Sequence, residues 1–363
     1  MSFSMRDNNF MQQALRLAAL GLNTTTPNPR VGCVLVAQNG ECIGEGYHRI
    51  AGEEHAEVNA IAAVTDKSLL VGATAYVTLE PCNHHGKTAP CVEALISAGI
   101  ARLVFGMEDP NPQVQGQGLI QLRDAGVVVD GPLMEEQARA LNSGFVKRME
   151  MGLPWLRCKL AMSLDGRTAM ADGASKWITG PSARADVQSL RARSCAIITG
   201  VDSVLLDDPL LTVRLPECDR QPLRIIVDSQ LRSPEKAEIF QQPGATIVAT
   251  CNAEAAAKSH HECWVLPEKN GRVDLRALLE KLAQEGCNEI LLETGATLAG
   301  AFVGAGLVDE LIIYMAAKLM GSEARPLLNI PINTMGASLE MKIQEVRAVG
   351  PDWRITATPD PEA

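Results

Sequence analysis

Apolar residues recur along the first 150 positions in two alternating rhythms. Short aliphatic and β-branched runs at 31–36, 74–79, 102–106 and 127–129 have the length and composition of buried strands. Between and around them, 11–20, 55–64, 92–98 and 119–125 carry apolar positions three and four apart, which predicts helices. One more helix is predicted over 133–149, ending near Gly152 and Pro154, which punctuate the chain. A second series of strand-like runs follows, at 155–162, 196–200, 223–228, 246–249, 289–292 and 311–315. Strands alternating with helices predict an α/β protein. At 363 residues the chain exceeds what one core usually organises, so two domains are expected, 1–150 and 151–363. The halves share no motif or period.

Composition narrows the class. The formal charge of -10 offers no global attraction to nucleic acid or anionic lipid, so neither is expected as a partner. The N-terminus carries Asp7 and helix-spaced Leu15, Ala18 and Ala19 where an export signal needs an unbroken apolar segment. No apolar window reaches membrane-spanning length. Ten cysteines are scattered without an export signal, which points to a reducing, cytoplasmic setting. Apart from Cys82 and Cys91 they read as small core residues, Cys33 and Cys195 among them.

The chemistry concentrates in one constellation: His55-Ala56-Glu57, then Pro81-Cys82, then Cys91. One imidazole and two thiolates suit zinc, and three protein ligands leave the fourth tetrahedral position open to water, as catalysis requires. Glu57, two residues after His55, can reach that water without joining the coordination sphere, and can carry a proton to a departing amine. A histidine, glutamate and proline-cysteine set of this kind marks zinc nucleobase deaminases, although the cysteines are usually closer. Here residues 83–90 intervene, a polar, turn-rich loop with His84, His85 and Lys87. The alternative is a closed structural site in which His84 or His85 supplies a fourth ligand.

The segments PNPRVGCVLV, GEGYH, HAEVNA, YVTLEPCNHHGKTAPC and MEDPNPQVQGQG resemble the deaminase domain of the bifunctional riboflavin-biosynthesis deaminase/reductases. The resemblance implies a cytidine-deaminase-like three-layer α/β/α domain and a ribosylaminopyrimidine phosphate as substrate. By position, Asn28 and His48 would orient the pyrimidine, and His84 and Lys87 the ribose phosphate. Read without the resemblance, Asn28 is a turn residue between prolines and Lys87 a solvated loop charge.

The second half lacks a GxGxxG after a strand. It does carry a buried strand, EILLE, running into the small-residue turn TGATLAG, which predicts a helix start able to approach a phosphate, or an ordinary structural turn. KLAMSLDGRTA, SKWITG, GVDSVLLDDPLLTVR and IIVDSQ resemble the reductase domain of the same family. That implies a dihydrofolate-reductase-like α/β domain using NADPH to reduce a ribosyl group to ribityl. Carried over by position, Ala161, Trp177, Ser203, Asp207, Ser229 and the turn Gly295, Ala296, Thr297, Leu298, Ala299, Gly300 and Ala301 would line the cofactor. Ser175, Arg191, Leu211, Arg214 and Glu293 would face the substrate, the arginines gripping phosphate through paired donors. Lys159 would orient the ribose, with a strand-edge lysine as its plain alternative; Trp177 reads equally as a half-buried anchor. Ala89 stands where the family usually has proline and Ser203 where it has threonine; neither removes a needed chemical group.

The expectation is therefore a bifunctional enzyme with one Zn2+ and NADPH, small phosphorylated pyrimidine substrates and a homo-oligomeric state. Two rivals remain: a nucleoside or nucleic-acid deaminase with an unrelated C-terminal domain, and a zinc-stabilised pyrimidine sensor without turnover.

Overall fold

The first helix, α1 (Met5–Ala19), begins before its apolar periodicity does, because Ser4 and Asp7 form a capping box. The Ser4 hydroxyl accepts the Asp7 N–H at 3.1 Å and the Asp7 carboxylate accepts the Ser4 N–H at 2.9 Å. The structure is a computed structural model that describes residues 3–83, 89–112, 114–216, 218 and 220–360. It separates into two units, Met1–Gly152 and Leu153–Ala363. Among the described residues no helix is long and apolar enough to cross a membrane.

In the first unit β1 (Gly32–Val36), β2 (Cys42–Tyr47), β3 (Thr74–Val77), β4 (Arg102–Phe105) and β5 (Val128–Asp130) form one sheet in the order β2-β1-β3-β4-β5. β1 runs antiparallel to both neighbours, and β3, β4 and β5 run parallel. α1 covers one face through Met11 and Ala14 on Val34, Tyr76 and Val104. α2 (Ala56–Ala63), α3 (Cys91–Ser97) and α4 (Gln117–Asp124) cover the other through Ala60, Leu95 and Leu122. The expected three layers are present.

β2 was absent from the apolar pattern because Gly44 and Gly46 dilute it. Both are required by packing: a Cβ on Gly44 would sit 2.5 Å from the Ala60 carbonyl oxygen and one on Gly46 2.4 Å from that of Ala56. Their bareness lets α2 lie directly on β2.

The helix expected over 133–149 is two, α5 (Glu135–Leu141) and α6 (Ser143–Met151). The break falls at Asn142, whose buried amide accepts the Arg30 N–H at 2.8 Å and donates to the Arg30 carbonyl at 2.9 Å. This side chain satisfies a loop backbone as a strand neighbour would.

The second unit is built on a nine-stranded sheet, β11-β10-β9-β8-β14-β6-β15-β18-β17. Its strands are β6 (Trp155–Ser163), β8 (Ala196–Gly200), β9 (Leu223–Val227), β10 (Thr246–Thr250), β11 (Cys263–Val265), β14 (Glu289–Glu293), β15 (Glu310–Ala316), β17 (Met341–Val349) and β18 (Asp352–Pro359). Two small ribbons accompany it, β7 (Arg167–Ala169) with β16 (Arg325–Pro326) and β12 (Glu268–Lys269) with β13 (Arg272–Val273). From β11 to β15 all pairings are parallel; β18 and β17 close the edge antiparallel.

α7 (Pro181–Arg193) and α8 (Val201–Asp207) pack on one face through Val187, Leu190 and Val204. α10 (Leu275–Gln284) and α11 (Ala296–Gly304) pack on the other through Leu279, Leu282 and Phe302, while the short α9 (Ala253–Ala256) buries nothing. Cys33, Cys158, Cys195, Cys218 and Cys287 are buried as expected, but Cys251 and Cys263 are only half-buried and Cys42 is exposed on edge strand β2.

Candidate active sites

Two helix starts converge in the first unit. His55 is the N-cap of α2 with extended backbone, φ -76 and ψ 170. Cys91 opens α3, and Cys82 lies in the irregular segment after β3. The ligand atoms of His55, Cys82 and Cys91 all lie within 4.8 Å of one another. His55 Nδ1 is 3.3 Å from Cys91 Sγ and 3.5 Å from Cys82 Sγ. A tetrahedral zinc with ordinary Zn–N and Zn–S bonds needs nitrogen and sulfur about 3.5 Å apart, so the donors fit that ion.

The hydrogen bond from Cys91 lowers the Cys82 thiol to about 4, and the same bond pushes Cys91 well up. A helix N-terminus beside them further favours thiolate. Glu57, in the first turn of α2, is buried and in hydrogen-bonding contact with Cys91. Burial, reinforced by the Cys82 charge, raises its carboxyl to about 7. A carboxyl poised there can both take and give a proton near neutral pH.

Beside the cluster, His48 and His55 stand edge to face, 5.1 Å between ring centroids. The Glu54 carbonyl accepts from His48 Nδ1 at 3.2 Å, which leaves Nε2 to accept from the Asn28 amide at 3.1 Å. Burial lowers the His48 pKa, which favours the neutral ring. Asn28 is thus more than a turn residue. His84 and Lys87, the expected phosphate contacts, lie outside the described residues.

Glu80 escaped sequence reasoning. It is buried behind Pro81-Cys82 and accepts N–H groups from Asp109 at 3.2 Å, Gly116 at 2.9 Å and Gly118 at 3.0 Å. One carboxylate therefore ties the Cys82 segment to the loop that opens α4. A charged residue inside an otherwise strand-like run, LEPC, was the available signal.

In the second unit a cavity of about 1290 Å³ opens at the C-terminal ends of the central strands, where open parallel sheets bind ligands. It brings together Lys159, Ala161, Ser175, Trp177, Arg191, Ser203, Asp207, Leu211, Arg214, Ser229 and Glu293 with Gly295, Ala296, Thr297, Leu298 and Ala301. Ala299 and Gly300 do not line it. They lie on the buried side of α11, where a Cβ on Gly300 would meet the Asn329 carbonyl at 2.3 Å; a helix presents only part of each turn to a ligand. Trp177 is no half-buried anchor: it is 64% exposed, with the Arg184 guanidinium 4.5 Å over its ring.

The arginines differ in what they have left to offer. Arg191 spends its fork on Glu293, at 2.6 and 3.0 Å, and its remaining nitrogen donates to the Thr212 carbonyl at 3.0 Å. Burial opposes the Glu293 charge, but Arg191 more than compensates and holds the carboxyl below its ordinary range. In this arrangement its paired Nε and Nη2 donors are on Glu293, while Arg191 itself lines the cavity. Arg214, bonded to the Thr212 hydroxyl at 3.2 Å, keeps donors facing the cavity. Lys159, on β6, is half-buried beside Glu293 and Arg191, and burial lowers its pKa. Asp207 accepts from Ser175 at 3.2 Å.

Residues 4–107 match the cytidine and deoxycytidylate deaminase zinc-binding region, and residues 154–355 match the RibD C-terminal domain. The riboflavin biosynthesis protein RibD of Escherichia coli K12 is 50% identical over 362 residues, covering 96% of this chain and 98% of that protein. The Haemophilus influenzae protein of the same name is 45% identical, covering 99% of each. Acinetobacter baumannii RibD superposes with a TM-score of 0.91 at 43% identity, covering 98% of this chain and 99% of that one. A diaminohydroxyphosphoribosylaminopyrimidine deaminase/5-amino-6-(5-phosphoribosylamino)uracil reductase from Thermotoga maritima does so at 0.88 and 32% identity, with the same coverage. A three-donor cluster fit for zinc in one unit, a large strand-end cavity in the other and full-length likeness in both place the chain in the RibD family of bifunctional deaminase/reductases of riboflavin biosynthesis.

Proposed function

We propose that residues 1–150 deaminate 2,5-diamino-6-ribosylamino-4(3H)-pyrimidinone 5′-phosphate, and that residues 151–363 use NADPH to reduce the ribosyl group of 5-amino-6-(5-phosphoribosylamino)uracil to ribityl. The observation that carries the first reaction is the buried Glu57 carboxyl lying against a three-donor zinc cluster. Zinc held by His55, Cys82 and Cys91 supplies the Lewis acidity that makes water a competent nucleophile near neutral pH. Glu57 takes the proton of the attacking water and hands it to the departing ammonia. Asn28 and His48 orient the pyrimidine, and His84 with Lys87 is assigned the ribose phosphate.

For the second reaction, the cavity is large enough for a dinucleotide beside a substrate. The start of α11 has no side-chain cap, and a Cβ on Gly295 would meet nothing within 4 Å, so backbone N–H groups are open to a pyrophosphate. NADPH, when bound, supplies the hydride. Ala161, Trp177, Ser203, Asp207, Ser229 and residues 295–298 with Ala301 hold it in place. Arg214 takes the substrate phosphate, Arg191 fixes Glu293, and Lys159 with Glu293 positions the ribosyl group; Ser175 and Leu211 complete that wall. Free cysteines throughout the chain agree with a cytoplasmic enzyme, and exposed Ile343, Val346 and Trp353 on β17 and β18 agree with a homo-oligomer.

The test follows ammonia and NADPH absorbance separately with the phosphorylated diaminopyrimidine. Glu57→Gln should abolish ammonia release while zinc content persists; continued release would remove Glu57 from the mechanism. A pyrimidine sensor without turnover would release no ammonia even in the unaltered chain. Ammonia release without NADPH consumption would sink the reductase assignment alone.

A further inference from the structure

One group of charges on the cavity wall has no part in either reaction as described. β12 and β13 are joined by Asn270-Gly271, both at positive φ, 55 and 73, the geometry of a tight two-residue hairpin. Its register sets Lys269 directly opposite Arg272. Like charges facing each other across a ribbon are destabilising, and neither has a carboxylate partner among the described residues. Both are exposed and both line the cavity, as do Arg276 and Arg232.

Three of the carboxylates around it are engaged elsewhere. Asp274 caps α10 by accepting from Arg276 N–H and Ala277 N–H, at 2.9 and 3.2 Å. Glu268 accepts the Gly271 N–H at 3.2 Å, and Asp202 pairs with Arg232 at 2.8 Å. The hairpin is tied to the strand ends: the Val273 N–H donates to the Ser229 hydroxyl at 3.1 Å, leaving the Ser229 O–H free to donate into the cavity. A dianion between Lys269, Arg272 and Ser229 would relieve the facing cations and gain charge-assisted hydrogen bonds.

Position says which dianion. Lys159, on β6, is three strand spacings from β9, whose end leads into Ser229; that is about 14 Å at ordinary strand separation. The uncapped start of α11 follows β14, between the two. A dinucleotide with its nicotinamide at Lys159 and its pyrophosphate at α11 brings its adenosine ribose to the hairpin.

We propose that Lys269, Arg272 and the Ser229 hydroxyl bind the 2′-phosphate of the cofactor and thereby select NADPH over NADH, an assignment that rests on the NADPH reading above. The experiment measures dissociation constants for NADPH and NADH by nicotinamide fluorescence, without turnover, in the unaltered chain and in the double variant Lys269→Ala/Arg272→Ala. Competition by 2′-AMP and 5′-AMP is measured alongside. The double variant should weaken NADPH by roughly tenfold or more, about 1.4 kcal/mol, leave NADH unchanged and erase the advantage of 2′-AMP over 5′-AMP. Added salt should shrink the NADPH preference of the unaltered chain only. Lys269→Arg/Arg272→Lys should retain it.

Unchanged NADPH affinity, or equal weakening of NADPH and NADH, overturns the 2′-phosphate site while leaving the cofactor reading intact. Loss of preference in Arg232→Ala but not in the double variant also overturns it, moving the phosphate toward α8. Failure of the unaltered chain to bind NADPH sinks both.

Discussion

Adding a single methyl group at Gly46, outside the catalytic set, should disable the deaminase. Built on the backbone, the Cβ of Gly46→Ala would lie 2.4 Å from both the Ala56 carbonyl oxygen and the Ala60 nitrogen, against 3.4–4 Å for ordinary contact. Backbone cannot swing aside as a side chain does, so α2 must rise by about 1 Å, at an overpacking cost of about 1–3 kcal/mol. α2 carries Glu57 and is capped by His55, whose Nδ1 sits 3.3 Å from Cys91 Sγ. A displacement of about 1 Å in a catalytic group costs on the order of 10²-fold in rate. The assay is ammonia release and zinc content in Gly46→Ala, with NADPH binding by the same preparation as an internal control. Deamination and zinc should fall together while NADPH binding persists. Unchanged ammonia release would show that β2 does not set the height of α2, and the packing argument would fail.

The remaining predictions concern charge. Glu293→Gln leaves Arg191, whose side chain is 11% exposed, without its counter-ion; chemical denaturation of the second unit should lose about 3 kcal/mol, and a loss near zero would mean that Arg191 finds another partner. Asp7 accepts from Ser4, Tyr76 and Arg102; burial would raise its pKa, but these bonds together hold it well below the ordinary value. A depressed carboxyl stabilises fully above its unfolded pKa of about 3.9 and loses that contribution as pH falls through the folded value. Asp7→Asn should therefore destabilise at pH 7 and converge with the unaltered chain in acid; a pH-independent difference would count against the ion pairs. Because zinc takes cysteine only as thiolate, loading the His55, Cys82 and Cys91 cluster should release protons. Calorimetry in buffers of different ionisation enthalpy reads this, and zero release would mean that neither cysteine gives up a proton to the metal.

The clustering of His55, Cys82 and Cys91 with Glu57 was legible because ligand chemistry is carried by rare residue types whose spacing survives in one dimension. The central strands were legible for a related reason: β1 and the Ile-Leu-Leu centre of β14 are wholly buried and read as apolar runs. β2 was hidden by the glycines that α2 needs above it. β17 was hidden because most of its side chains are exposed and its register shifts between Ile343 and Glu345. The break at Asn142 depends on Arg30, 112 positions away, and the occupied fork of Arg191 on Glu293, 102 away. No local pattern announces such pairings. Position alone carried Ala299 and Gly300 into the cofactor turn, where helix geometry turns them inward.

The Asn142 clasp bears on how the chain can be divided. The zinc-binding family match stops at 107, yet the segment bearing Asn28 is held from beyond it. Asn142 brackets Arg30, Arg30 Nη1 donates to the Leu141 carbonyl at 2.7 Å, and Arg148 Nη2 donates to the Pro27 carbonyl at 3.2 Å. A fragment cut at the family boundary would keep every metal donor but release the strap that carries Asn28. The smallest autonomous deaminase is therefore expected to run through Gly152, and the two terminal helices of that unit act as a buckle on the segment that carries Asn28.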